Sequence, residues 1–345
     1  MSLMLEEIRQ QPEVLARILE QESGKVRELG EALRKRSIRL IVLVARGSSD
    51  NAAQFGRYLL EIATGIPVSL AAPSIYTLYG AKLRLDHALV VGVSQSGEGE
   101  DINRVLVEAR ACGAFTVGIT NEAGSSMVRS VDVPLLIHGE RERSVAATKT
   151  FTGQMLIFYL LAQALAGTSS VTQGFERVPE FCAKTLAQEA AIRELAQRYT
   201  FMENCVVLGR GLLYGNAYEL ALKLMETCYV VAERFSTADF FHGPLAMVER
   251  HFPVILFASP GAMMPGVKTL AHRLRELRAE TVVITSDTEL ASICSRVVPM
   301  LPEIAEFLAP IPYIIPGQLF AALLAEAKGL DPDTPRSLSK VTRTL

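Results

Sequence analysis

The stretch Ala88–Gly113, ALVVGVSQSGEGEDINRVLVEARACG, joins an apolar run to a loop of Ser, Gln and Gly, and then to a segment with apolar residues at helical spacing. The run reads as a buried strand and the segment after Asp101 as a helix. The loop, SQSGEGED, is not a Walker loop, because no Gly-Lys-Ser/Thr follows, and it lacks the GxGxxG dinucleotide fingerprint. Ligands of open α/β sheets bind beyond the carboxyl ends of strands, where helix N-termini favour anions. Ser94, Gln95 and Ser96 add hydrogen-bonding side chains at such a place, which suits a phosphate monoester. Each bond to a charged group contributes about 1.5–3 kcal/mol. A polar turn with a serine capping the helix is the alternative, and spacing alone does not separate the two.

The same pattern recurs. LIVLVARGSSDNAAQFGRYLLE (40–61) matches CVVLGRGLLYGNAYELALKLME (205–226), with Arg46 and Arg210 164 residues apart. ALVVGVSQSGEGEDINRVLVEARACGAFTVGIT (88–120) matches PVILFASPGAMMPGVKTLAHRLRELRAETVVIT (253–285), with Ser94 and Ser259 165 apart. A nearly constant offset implies duplication of a whole domain. Short strands alternating with helices predict an α/β fold with a parallel sheet covered on both faces in each half. The expected organisation is a helical arm (1–36), a first domain with the phosphate loop (37–167), a helical linker (168–198), a second domain (199–334) and a tail (335–345). The linker is interrupted at AGTSSVTQG, a turn cluster. At the place of SQSG the second half has SPGA, where proline removes a donor and alanine a hydroxyl.

Composition bounds the function. Of 345 residues, 49% are hydrophobic and 21% charged, as in a soluble globular protein, and the net charge of -2 gives no electrostatic case for nucleic acid or an anionic membrane. The longest apolar run, MLIFYLLA, is too short to span a bilayer. The first residues lack a signal peptide's basic start and apolar core, and five scattered cysteines form no CxxC. A reduced cytoplasmic location without disulfides or zinc is expected. No cluster has metal-ligand spacing, so neither a metal nor a cofactor is expected.

The second half carries different chemistry. Glu219, Lys223 and Glu226 fall at i, i+4 and i+7 of a largely apolar helix, and so share a face. A solvent-exposed ion pair satisfies the same spacing. His242 follows in a His-Gly-Pro segment that reads as a fixed turn, and histidine is suited to proton traffic near neutrality. His87, His138, His251 and His272 read as surface or strand-edge residues.

These residues resemble the sugar isomerase (SIS) superfamily, specifically the isomerase half of glutamine–fructose-6-phosphate aminotransferase. The resemblance covers nearly the whole chain and is carried by ARGSS (45–49), SQSGE (94–98), ERSVAATKTFT (142–152), ELALKLMET (219–227), HGPLA (242–246), LPEIAEFLAPIPYIIPGQL (301–319) and PRSLSK (335–340). It implies two tandem SIS domains, each a doubly wound parallel sheet with helices on both faces. Ser48, Ser49, Ser94, Gln95 and Ser96 would hold the sugar phosphate. Glu226 would be the base moving a proton between C1 and C2, with Lys223 assisting at the sugar oxygens and Glu219 as a supporting acid. His242 would open the ring, reaching in from the neighbouring subunit of a homodimer. Lys340 would fold over the sugar with the tail, and the backbone at Ala146, close to Glu142 and Val145, would line the pocket.

Three departures qualify this reading. Gly99 stands where the family usually has a phosphate-binding threonine, Met225 stands in place of a second lysine, and the tail ends in KVTRTL instead of an acidic ending. No glutaminase domain precedes the isomerase arm, so the sequence points to a stand-alone aminosugar-phosphate isomerase/deaminase acting on glucosamine 6-phosphate. The alternatives are a fructosamine-6-phosphate deglycase and a non-catalytic phosphosugar-binding regulator.

Overall fold

The computed structural model describes residues 2–167 and 170–340; part of the AGTSSVTQG turn and the tail beyond Lys340 lie outside them. Ten strands form two five-stranded parallel sheets. The first sheet contains β1 (Leu40–Val44), β2 (Val68–Leu70), β3 (Ala88–Val93), β4 (Phe115–Thr120) and β5 (Val133–Leu136), in the order β2-β1-β3-β4-β5. The second contains β6 (Asn204–Gly209), β7 (Val231–Ser236), β8 (Pro253–Phe257), β9 (Glu280–Thr285) and β10 (Arg296–Pro299), in the order β7-β6-β8-β9-β10. The second order is the first repeated. The register repeats too, with Val42 opposite Val90 and Val206 opposite Val254. Every residue of β3, β4 and β8 is buried, as a sheet covered on both faces requires. This is the expected α/β architecture.

Two compact units carry these sheets. One comprises Gln10–Pro179 together with the tail from Ser337; the other comprises Glu180–Arg336 together with the chain through Arg9. The arm therefore divides. Helix Leu3–Arg9 goes with the second unit, its first N–H groups capped by the Asp333 carboxylate through Leu3 (2.7 Å) and Met4 (2.8 Å). Helix Gln11–Arg34 belongs to the first unit and packs against Lys149–Ala166.

That packing depends on one small residue. A Cβ at Gly30 would lie 2.5 Å from the Ala164 carbonyl oxygen and 2.9 Å from its Cβ. Backbone cannot yield there as a side-chain tip would, so the two helices must separate to admit even a methyl group. Gly30→Ala is therefore expected to lower stability by about 1–3 kcal/mol despite alanine's better helix propensity. Urea unfolding of the variant against wild type measures it.

Candidate active site

The strand order places one crevice in each unit. Winding reverses between β1 and β3, so the loops leaving these neighbouring strands diverge at their carboxyl ends. After β1 the chain turns through Gly47 at φ +57° and starts helix Ser48–Thr64 with both serines. Ser49 is buried, and its Oγ accepts a bond from Gln154 Nε2 at 2.9 Å.

After β3, Ser94 is buried and its Oγ accepts from the Gly97 N–H at 3.1 Å, leaving its own proton to donate. Ser96 Oγ accepts from the Glu98 N–H at 3.3 Å. The Gln95 carbonyl is held by Asn121 N–H (3.1 Å) and Thr120 Oγ1 (3.2 Å). Gly97 sits at φ +63°, where a Cβ would strike Ser125 Oγ. The loop is thus a built structure with Gln95 and Ser96 partly exposed. Gly99 is different: its φ of -62° suits any residue, and an added Cβ would meet only the flexible tip of Ile102 at 3.2 Å. The backbone does not demand the missing threonine's replacement.

Sequence reading left Arg46 and Asp101 outside the site. Arg46 Nε donates to Asp101 Oδ2 at 2.8 Å, tying the loop after β1 to the start of helix Glu100–Ala111. Asp101 is buried while the Arg46 side chain is half exposed.

A second cluster of this unit forms on the loop ahead of helix Lys149–Ala166. Glu142 is 1% exposed, and its carboxylate accepts from Thr148 N–H (2.8 Å), Thr150 N–H (3.3 Å) and Thr150 Oγ1 (2.6 Å). Lys340 Nζ lies 3.0 Å from the same carboxylate and donates to the Ser144 carbonyl at 2.7 Å. Ala146 is buried nearby in the chain. Burial alone would raise the Glu142 pKa; the Lys340 charge and the threonine bonds outweigh it and hold the carboxyl below its ordinary range. Glu142 and Lys340 thus meet within one unit, the lysine's ammonium bonded to the Glu142 carboxylate and to the loop carbonyls just before Ala146.

In the second unit, helix Tyr214–Cys228 carries the acid–lysine–acid set. Glu219 and Lys223 are 0% exposed, which overturns the solvent-exposed reading of their spacing. Lys223 Nζ stands 2.6 Å from Glu226 Oε2 and 3.4 Å from Glu219 Oε1. The Glu226 side chain keeps 21% exposure, so it is the member that solvent or a ligand can reach. Met225 points outward at 37% exposure, so its departure from lysine falls on the surface. At the helix end Tyr229 takes φ +55°, and Arg336 lies 3.6 Å above its ring while donating its N–H to the phenol oxygen.

His242 is exposed on the turn after helix Thr237–Phe240; Gly243 at φ +132° and Pro244 form the predicted fixed turn. His138, read as a surface or strand-edge residue, is instead bonded to buried Glu22 at 2.8 Å. Among the described residues no cluster of His, Cys, Asp and Glu could hold a metal ion, and no helix is long and apolar enough to cross a membrane.

The duplicate crevice, between the ends of β6 and β8, is occupied from within. Both Glu306 carboxylate oxygens lie 3.2 Å from the Ala262 N–H, and the carboxylate fills the space a Cβ on Gly261 would need. Arg210, Ser259 and Glu306 line the same small pocket.

Two tandem sheets wound alike, with a serine loop at one switch point, define a class. The SIS domain family matches residues 36–164 and 202–325, and the chain belongs to it. More particularly, it corresponds to the isomerase half of glutamine–fructose-6-phosphate aminotransferase. That enzyme from Methanothermobacter thermautotrophicus (strain Delta H) is 35% identical over 98% of this chain and 56% of its own length. The chain thus spans little more than half of the curated relatives it matches. The C-terminal domain of the Francisella tularensis glucosamine-fructose-6-phosphate aminotransferase superposes with a TM-score of 0.86 at 25% identity, covering 96% of this chain and 98% of that one. A Silicibacter pomeroyi DSS-3 protein provisionally assigned as a phosphosugar isomerase superposes at 0.87 with 30% identity, covering 96% and 100%. The chain is a SIS-domain protein whose curated relatives align with it through their isomerase halves.

The Glu142 cluster has a pH consequence. A carboxyl whose folded pKa is depressed adds stability above its unfolded value, ordinarily 4.5, and that contribution is lost as pH falls through the folded value. Glu142→Gln should therefore flatten the fall in stability below pH 4.5, read from denaturant midpoints across the acid range.

Proposed function

We propose that the chain is an aminosugar-phosphate isomerase/deaminase, converting glucosamine 6-phosphate to fructose 6-phosphate and ammonia. The observation carrying this is the Lys223 ammonium fixed between Glu219 and Glu226 on a buried helix face. Taking such charges out of water is costly, and apolar residues of similar volume would serve stability as well or better. A phosphosugar-binding regulator needs the serine loop but no buried acid–lysine–acid set. Charged groups held this way are candidates for proton transfer.

Each residue has a role in this reading. Ser48, Ser49, Ser94, Gln95 and Ser96 hold the phosphate. In the open-chain sugar, Glu226 takes the proton from C2 and the electron pair forms the C1–C2 double bond. Lys223 stabilises the charge that develops on the carbonyl oxygen. Glu219 holds the Lys223 side chain in position. Return of the proton to C1, with one proton passing from nitrogen to the C1 oxygen, leaves a hydroxymethyl group at C1 and an imine at C2. Water adds to it and ammonia departs. His242 serves ring opening in the partner of a homodimer, and Lys340 closes the tail over the sugar.

The test follows ammonia and fructose 6-phosphate in the same tube. Both should appear together from glucosamine 6-phosphate. Glu226→Gln should lower kcat by about 10²- to 10⁴-fold while sugar-phosphate binding persists. Binding without turnover in the wild type would sink the deaminase reading and make fructosamine 6-phosphates the next substrates.

Subunit sharing has its own measurement. Mixing inactive Glu226→Gln and His242→Asn chains after verified exchange should restore roughly a quarter of wild-type activity, since half the dimers are mixed and each carries one intact site.

A further inference from the structure

We propose that Arg46 is a ligand of the sugar phosphate, the cation of the cradle at the first switch point. This rests on the phosphosugar reading above and adds a residue that the serine motif does not contain.

Three observations meet here. First, Arg46 sits in the loop leaving β1, beside the crevice that the reversal between β1 and β3 creates. Its Nε is fixed by buried Asp101, whose other oxygen accepts the Ile102 N–H at 2.9 Å, so the guanidinium is oriented. The side chain still keeps 53% exposure. A planar guanidinium anchored on one edge presents its remaining N–H groups in a fixed fork, the geometry that matches phosphate oxygens.

Second, the charge around the cradle needs it. Residues 45–51 and 94–103 contain Asp50, Glu98, Glu100 and Asp101, and Arg46 is their one Lys or Arg. Glu98 is taken by the Ser126 N–H and Oγ with Arg129 close by, and Asp101 by Arg46 itself, so within these two segments the guanidinium is the cation that a phosphate dianion can meet. Gly99, which offers no hydroxyl, sharpens the demand.

Third, the duplicated half reveals what this arginine position faces. Arg210 is the counterpart of Arg46 and Ser259 that of Ser94. In the second unit these two line one pocket with the Glu306 carboxylate, which also takes the Ala262 N–H. The position after the first strand thus shares its crevice with an anion. There the anion is the chain's own; in the first unit the Asp101 carboxylate takes the Arg46 Nε and leaves the side chain 53% exposed.

The experiment titrates wild type, Arg46→Ala, Arg46→Gln and Arg46→Ala/Asp101→Asn with fructose 6-phosphate, with inorganic phosphate and with unphosphorylated fructose, by calorimetry. Arg46→Ala should weaken binding of both phosphates about 10- to 100-fold. Arg46→Gln, whose amide can still reach Asp101, should weaken them similarly and keeps the test valid if the alanine variant misfolds. The double variant should not regain affinity. Phosphate affinity within twofold of wild type in Arg46→Gln would overturn the inference. So would full recovery in the double variant, which would make Arg46 only a neutraliser of Asp101. Failure of wild type to bind either phosphate would instead remove the phosphosugar reading itself.

Discussion

A parallel sheet must be wound with right-handed crossovers, and one that is covered on both faces has to reverse its winding once. That constraint governs each unit of this chain. The reversal opens a crevice where the chain leaves neighbouring strands, and it is the one place on the sheet where loop N–H groups, helix starts and side chains converge without being used by the ladder. Ser48 and Ser49, the Ser94–Gly97 turn and Arg46 stand there in the first unit because β1 and β3 are neighbours.

The duplication places different side chains at the two equivalent crevices. The sequence suggests that SPGA lost its site through a missing donor at Pro260 and a missing hydroxyl. At the same turn the Glu306 carboxylate, 44 residues further along the chain, accepts the Ala262 N–H. A filled crevice is electrostatically satisfied whatever the loop's own donors.

Much of the fold was legible because it depends on local signals. Apolar runs, glycine turns and a repeat offset are all properties of neighbouring residues or of simple counting. The burial of Glu219 and Lys223 was not legible, since i, i+4 spacing fixes a shared face but not what covers it; the covering helix, Pro310–Ala327, lies far along the chain. The Arg46–Asp101 bridge spans 55 residues and the Lys340–Glu142 contact 198, and neither separation leaves a mark on local pattern. The motifs located the candidate residues, and the long-range partners decided which charges are buried, anchored or exposed.

The assignment of the tail from Ser337 to the first unit carries a consequence for how the chain reaches its native state. Glu142 is buried early in the sequence, yet its counter-charge emerges only after the whole of Glu180–Arg336 has been made. Until then the Glu142 carboxyl has the threonines of its own loop as partners but not the lysine. The first unit's final closure is therefore a late, long-range step, slow by loop entropy. The Lys340–Glu142 ion pair of the first unit thus forms only after the polypeptide of the second has been made, so the order of synthesis sets the order of closure.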